Sequence, residues 1–313
     1  MNKGIKSKSG RLILISLIIS MVAVFIGYGK EEKRTWYEIP VAAHAGGQID
    51  GRTLTNSKEA IEHSIKAGYQ LIEVDLNLTS DGQLVLIHGW DDDTKEELEI
   101  DNVITEENQV PNFDEFTNLK ICRKYTPMTG QNLIDVLKKN KDLYFLLDEK
   151  YSSKEDLASE MQQLVTLTEE KNSLLDRVIV QVYDADSYDT IMSVFPFSNV
   201  VYATYLHETK DESYWRQVAE ECLERNISMV SISRSFISTK KHPEMKYASI
   251  LKEYNLQICT YTIDKISDAE RMINSGVDLL VTNILTEEDL GLINTEIKRE
   301  DEGLGRNNYS KDI

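Results

Sequence analysis

The sequence predicts an α/β fold, a (β/α)8 barrel preceded by an N-terminal hydrophobic segment. Short apolar runs alternate with amphipathic stretches from residue 41 to residue 293. Such alternation argues for βαβ units around a parallel sheet. The span is about 250 residues, the size at which such a sheet closes on itself. No linker rich in Pro, Gly or Ser divides the region and no internal repeat is visible, so it reads as one domain.

The strand candidates are residues 41–46, 71–79, 84–88, 144–150, 177–183, 200–205, 229–233, 257–263 and 279–283. Helical patterns fall at 57–67, 130–139, 154–170, 187–194, 212–225, 245–253 and 267–274. The strand list is one longer than a barrel needs, and the surplus sits at 71–88. There Ser80-Asp81-Gly82-Gln83 signals a hairpin. The stretch 90–125 lacks strong periodicity and is long for a connection, which suggests a functional loop roofing a substrate site.

The chain ends differ from this middle. Lys3, Lys6, Lys8 and Arg11 precede an uncharged run over residues 12–29. Basic residues before an apolar segment stay in the cytoplasm and send the rest of the chain across the membrane. Residues 1–29 therefore read as a signal peptide or a membrane anchor, with 30–40 as a polar linker. Membrane association through this segment and an extracytoplasmic domain, anchored or secreted, are expected. Residues 294–313 are polar and aperiodic and read as a disordered tail.

Of the 313 residues, 41% are hydrophobic, enough for one large core. The formal net charge of -18 makes a polyphosphate such as nucleic acid a poor partner. No feature points to a protein partner. Cys122, Cys222 and Cys259 show no CxxC spacing, which argues against a disulfide framework or a thiolate metal site. Cys259 lies in an apolar run and reads as a core residue.

Ionisable residues gather where the strands end. Glu73 and Asp75 stand two apart and so share a strand face. If Asp81-Gly82 is a two-residue turn, counting outward sets Asp75 opposite His88, about 5 Å away between Cβ atoms. In 144–150, Asp148 and Lys150 share one face and Glu149 takes the other. His44 ends the first strand and opens into Gly46-Gly47. Carboxylates from two strands make a hard-oxygen site suited to Ca²⁺ or Mg²⁺. Histidines beside it are candidates for general base and general acid. A lysine there offers a fixed charge for a phosphate.

The order of these motifs resembles the glycerophosphodiester phosphodiesterases. The likeness begins with His44-Ala45-Gly46-Gly47, Asn56-Ser57-Lys58-Glu59, Glu73-Val74-Asp75, Thr79-Ser80-Asp81-Gly82 and His88. These are similar to the family's HRG, PENT-like, ExD, TxDG and HD segments. It continues through Leu133-Ile134-Asp135-Val136-Leu137 and Asp148-Glu149-Lys150, similar to ExK. Cys259-Thr260-Tyr261-Thr262 and the run from Gly276 to Asn283 resemble WTV and GVDGIITD.

The resemblance implies a TIM barrel of the phospholipase C-like phosphodiesterase type and a divalent cation on Glu73, Asp75 and Asp148. It implies His44 and His88 as the acid–base pair and Lys150 on the phosphate, with a glycerol hydroxyl attacking its own phosphorus. The sequence departs from the pattern at Ala45, where the family has Arg, and at Gly89, where it has Asp. Asp148 is a carbon shorter than the usual Glu, unless Glu149 substitutes through a local bulge, and Tyr261 replaces Trp. Arg234, at a strand end, is the candidate to supply the missing phosphate charge.

The leading expectation is therefore hydrolysis of a glycerophosphodiester. A phospholipase C- or D-like enzyme on a lipid or envelope phosphodiester is the second, favoured by membrane tethering and by Trp90. An inactive binding module on the same barrel is the third.

Overall fold

Apolar runs with no polar alternation suit strands covered on both faces. The computed structural model describes residues 34–100, 104, 109–149, 153–204, 211–237 and 247–292. The expected N-terminal segment, residues 30–33 of the linker, Lys150 and the tail 294–313 lie outside the described residues. Among the described residues no helix is long and apolar enough to cross a membrane.

The strands are β1 (Val41–Ala43), β2 (Leu71–Leu78), β3 (Leu84–Leu86), β4 (Met128–Thr129), β5 (Tyr144–Glu149), β6 (Val178–Val182), β7 (Val200–Ala203), β8 (Met229–Ser233), β9 (Gln257–Tyr261) and β10 (Leu279–Thr282). All but β3 and β4 run parallel in one closed ring. β1 closes it, pairing with β10 through Val41↔Leu280 and with β2 through Ala43↔Ile72. This is the expected TIM barrel. The helices are α1 (Lys58–Lys66), α2 (Asp92–Glu97), α3 (Phe113–Asn118), α4 (Gly130–Lys139), α5 (Lys154–Leu167), α6 (Ala185–Val194), α7 (Glu212–Glu224), α8 (Tyr247–Glu253) and α9 (Ile266–Asn274).

Period-two alternation along the strands divides the core in two. Ala42, Leu71, Tyr144, Leu146, Ile179, Val201, Met229, Cys259, Leu279 and Val281 pack inside the barrel, with Trp36 and Ile39. Their sequence neighbours Ala43, Ile72, Phe145, Val178, Val180, Val230, Ile258 and Leu280 face the helices in the larger core. Trp36 precedes β1 and closes the floor, its indole N–H donating to Asn199 Oδ1 at 2.9 Å. Cys259 is a buried core residue, as its apolar setting predicts, and burial pushes its thiol up to about 12. All three cysteines are free thiols.

The surplus strand is β3, antiparallel to β2 at the barrel rim. Its register differs from the expected one. Leu76 pairs with Leu86 and Leu78 with Leu84, so the residue opposite Asp75 is Ile87, whose N–H donates to Asp75 O at 3.1 Å. The cause is the turn. Thr79 pairs with Gln83 across three residues, not two, and Gly82 takes the left-handed φ of 72° that this longer hairpin needs. Thr79 Oγ1 holds it, donating to Asp81 Oδ1 at 2.6 Å and accepting from Gln83 N–H at 2.9 Å. A one-residue slip exchanges the faces of a strand. Pairing therefore does not bring His88 onto the face of Asp75; His88 lies past the end of β3.

The described residues of the stretch 90–125 hold more regular structure than its weak periodicity suggests. It carries α2 and α3, capped by Asp91 and by a capping box of Asn112 and Glu115. Val85, Ile87, Trp90, Leu98, Phe116, Leu119 and Tyr125 form a third small core there. Trp90 is 9% exposed, donates to Asn77 Oδ1 at 2.9 Å and meets Phe116 edge to face. It is a packing residue of this insertion, so its weight as a lipid contact lapses.

Candidate active site

The C-terminal ends of the barrel strands surround one cavity, lined by His44, Glu73, Leu146, Asp148, Gln181, Ser231, Tyr261 and Val281. Barrel interiors place functional side chains at this end because the βα loops leave it open.

Three acids meet here. β2 and β5 are in register with Asp75 beside Asp148, and Glu73 stands one interior position below on the same face. The regular pairing continues to Leu76↔Glu149, so β5 has no bulge and Asp148, not Glu149, takes the interior position. One oxygen from each of Glu73, Asp75 and Asp148 lies within 4.8 Å of the others. Oxygens sharing a Ca²⁺ at about 2.4 Å stand roughly 3.4 to 4.8 Å apart, so this donor set fits one hard cation. Glu73 and Asp75 are 4% and 1% exposed, and buried like charges are costly without a cation between them.

Each acid is held by a different donor. Glu73 Oε2 accepts the Ala45 N–H at 2.6 Å. Asp75 and Asn56 pair reciprocally: Asn56 Nδ2 donates to Asp75 Oδ2 at 2.7 Å, and Asp75 N–H donates to Asn56 Oδ1 at 3.0 Å. Tyr183 OH donates to Asp148 Oδ1 at 2.8 Å. Ala45 and Asn56 both adopt a left-handed φ of 46°, a conformation that costs energy in residues with a Cβ and that recurs at functional sites. Gly47 lets the turn pass α1, since a Cβ there would lie 2.2 Å from Ser64 Oγ.

His44 Nδ1 lies 3.0 Å from Asn283 Oδ1. Asn283 Nδ2 in turn donates to Asp264 Oδ2 at 2.7 Å, and its N–H to Asp264 Oδ1 at 2.8 Å. With the amide nitrogen committed to a carboxylate, Asn283 Oδ1 must accept, so His44 carries its proton on Nδ1. That leaves Nε2 for the cavity His44 lines. His88 stands outside that lining, with Nδ1 3.4 Å from Thr94 Oγ1, which itself donates to Asp91 Oδ2 at 2.9 Å. Arg234 follows β8 in an exposed turn; Ser231 lines the cavity and Arg234 does not. Lys150 is outside the described residues. Asn56, Tyr183, Asp264 and Asn283 are site residues to which spacing and motif alone assign no role, although Asn56 and Asn283 lie inside the family-like segments.

Behind β5, Glu149 is fully buried, and neither of its carboxylate oxygens has a hydrogen-bond partner among the described residues. Burial, reinforced by the charges of Asp148 and Glu160, raises its carboxyl well above the ordinary range. Glu160 on α5 is pushed up to about 8, mainly by burial and then by Asp156 and Asp148. A carboxyl whose folded pKa lies above its unfolded value of 4.5 takes up a proton on folding. Its stabilising contribution is complete below pH 4.5 and is lost as pH rises through about 8. Glu160→Gln, which stays neutral, should therefore melt several degrees above the wild type at pH 8.5 and within about 1 °C of it at pH 4. Thermal melts at the two pH values check this; an equal shift at both would refute it.

The sequence profile of the glycerophosphoryl diester phosphodiesterase family matches residues 44–286. The chain belongs to that family. It is therefore a phosphodiesterase, an enzyme of the phosphoric diester hydrolase class. Solved structures of the same barrel agree in fold. A glycerophosphodiester phosphodiesterase from Parabacteroides distasonis is 20% identical over 83% of this chain and 98% of its own, with a TM-score of 0.63. An Oleispira antarctica phosphodiesterase in complex with the product sn-glycerol-3-phosphate is 14% identical over 78% of this chain and 92% of its own, at 0.58. A glycerophosphodiester phosphodiesterase from Thermotoga maritima is 16% identical over 78% and 94%, at 0.53. Among curated proteins no sequence matches significantly.

Proposed function

We propose that the chain hydrolyses a glycerophosphodiester to an alcohol and glycerol phosphate, with Glu73, Asp75 and Asp148 holding a Ca²⁺ or Mg²⁺ ion. The observation that carries this reading is the convergence of three carboxylates, two of which, Glu73 and Asp148, line one cavity with His44, in a chain of this family. When bound, the cation offsets the charge of the phosphate and of the acids around it. The histidines do the proton work. A glycerol hydroxyl attacks its own phosphorus and yields its proton to one imidazole, for which the Nε2 of His44 is suited. The phosphorus–oxygen bond to the alcohol breaks, and the departing oxygen takes a proton from the other, His88. Water then opens the cyclic phosphate with the two roles reversed, and both histidines return to their starting state. Lys150, carried over from the ExK pattern, is the candidate phosphate charge, and Arg234 is the candidate to replace the charge missing at Ala45.

The same reading puts residues 41–293 outside the cytoplasm, behind the segment 1–29. Its support is the basic stretch Lys3 to Arg11 ahead of an uncharged run. A reporter fused after Ile313 should be active only outside; activity confined to a cytoplasmic reporter would overturn the topology. For the reaction, a panel of glycerophosphodiesters and intact phospholipids assayed with and without EDTA is the test. Turnover of the glycerol diesters alone, abolished by EDTA, is expected. Turnover of intact lipid in preference would transfer the site to a phospholipase.

A further inference from the structure

The three acids differ in how much each depends on its neighbours. Glu73 has an extra methylene and a main-chain N–H behind it. Asp75 shares two hydrogen bonds with one amide. Asp148 is short, sits level with Asp75 and one interior position above Glu73, and is only partly buried, and a side-chain hydroxyl holds its Oδ1.

That hydroxyl is itself fixed. Tyr183 directly follows β6, is 1% exposed, and donates its N–H to Ser187 Oγ at 2.9 Å. The next residue, Asp184, caps α6 through Ser187 N–H at 2.7 Å, so the tyrosine backbone is locked into the start of that helix. At the other end the phenol stands 2.8 Å from Asp148 Oδ1 and 2.5 Å from Glu149 O. A phenol has one proton, and both neighbours here are acceptors, so that proton is shared between the carboxylate and the backbone next to it. A shared donor of this kind fixes the carboxylate relative to its own main chain. The β5 backbone is in turn registered against Asp75.

We infer that Tyr183 is a positioning residue for the cation site: its hydroxyl orients the short Asp148 so that an aspartate can complete a site with Glu73 and Asp75. The inference rests on the reading of the three acids as a cation site. Donors that fix ligating carboxylates commonly govern metal affinity by 10- to 100-fold. A phenylalanine would keep the ring and its packing while deleting only the proton donor. A glutamate at 148 would bring its own reach and need the hydroxyl less.

The experiment is calorimetric titration of Ca²⁺ and Mn²⁺ into the full chain for the wild type, Tyr183→Phe, Asp148→Glu, the double variant and Glu73→Gln, with melting curves of each metal-free protein. Tyr183→Phe should bind 10- to 100-fold more weakly while its metal-free melting point stays within about 2 °C of wild type. Adding Asp148→Glu to Tyr183→Phe should recover at least about tenfold, a non-additivity expected only of residues in contact. Affinity within twofold of wild type in Tyr183→Phe, with binding lost in Glu73→Gln, would overturn the inference and leave the cation site standing. Weakened binding with a lowered metal-free melting point and no rescue by Asp148→Glu would also overturn it, making Tyr183 merely structural. A wild type that binds neither ion would remove both the cation site and the inference.

Discussion

Glu73→Gln is expected to lower turnover by on the order of 10³-fold or more while leaving the barrel folded. Glutamine keeps the volume of this buried side chain and an oxygen able to accept the Ala45 N–H. What it loses is one of the negative charges facing Asp75 and Asp148. A hard cation held by carboxylates depends on that charge. Its contribution to phosphoryl chemistry is several kcal/mol, and each 1.36 kcal/mol is worth a factor of ten in rate. Stability should move the other way. With one fewer like charge in the cluster, the metal-free variant should melt at or above the wild type, and the rise that added Ca²⁺ gives the wild type should vanish. Rate assays at saturating metal and paired melts with and without EDTA measure both. Wild-type turnover that survives exhaustive chelation would remove the cation from the mechanism.

These acids were legible in the sequence because they obey a local rule. Glu73 and Asp75 are two apart on a strand, and Asp148 follows an apolar run at the matching interior position. The barrel was legible for the same reason: its runs are apolar at both parities, as strands between an inner core and a helical layer must be. The misplaced register of β3 came from counting Asp81-Gly82 as the whole turn. The left-handed Gly82 belongs to a three-residue loop, and one residue reverses every face beyond it. β4 is two residues long and α2 and α3 are six each, too short for periodicity to register, though Asp91 and the Asn112–Glu115 box marked both helix starts. Asn283, Asp264 and Tyr183 were missed for a deeper reason. Asn283 meets His44 only because β10 pairs with β1 in closing the ring, and Tyr183 meets Asp148 only across neighbouring strands. Such partners arise from topology, not from spacing.

Removing either histidine should cost 10²- to 10⁴-fold in kcat, the range typical of a positioned acid or base. The hydrogen bonds around each ring support one division of the proposed proton work. Asn283 Oδ1 can only accept, because Asn283 Nδ2 donates to Asp264, so His44 holds its proton on Nδ1 and keeps Nε2 as a basic nitrogen toward the cavity. The Asp264 carboxylate, one amide removed, holds Asn283 in the orientation that fixes this ring. On the other side, Thr94 Oγ1 donates to Asp91, so it too can only accept from His88 Nδ1. Both rings thus offer Nε2. His44, backed by the shorter contact at 3.0 Å and by a carboxylate beyond it, is the better-oriented base. Asp264→Asn should consequently lower kcat by about tenfold with KM little changed, the pattern of a group that acts through another in the transition state. If the two histidines serve one proton circuit, His44→Ala and His88→Ala combined should cost far less than the product of the single losses. The measurement is kcat and KM for the four variants on a diester that the wild type cleaves well. Near-normal turnover in either single histidine variant would end the two-histidine mechanism, whereas near-normal turnover in Asp264→Asn alone would leave the histidines in place and remove only their support.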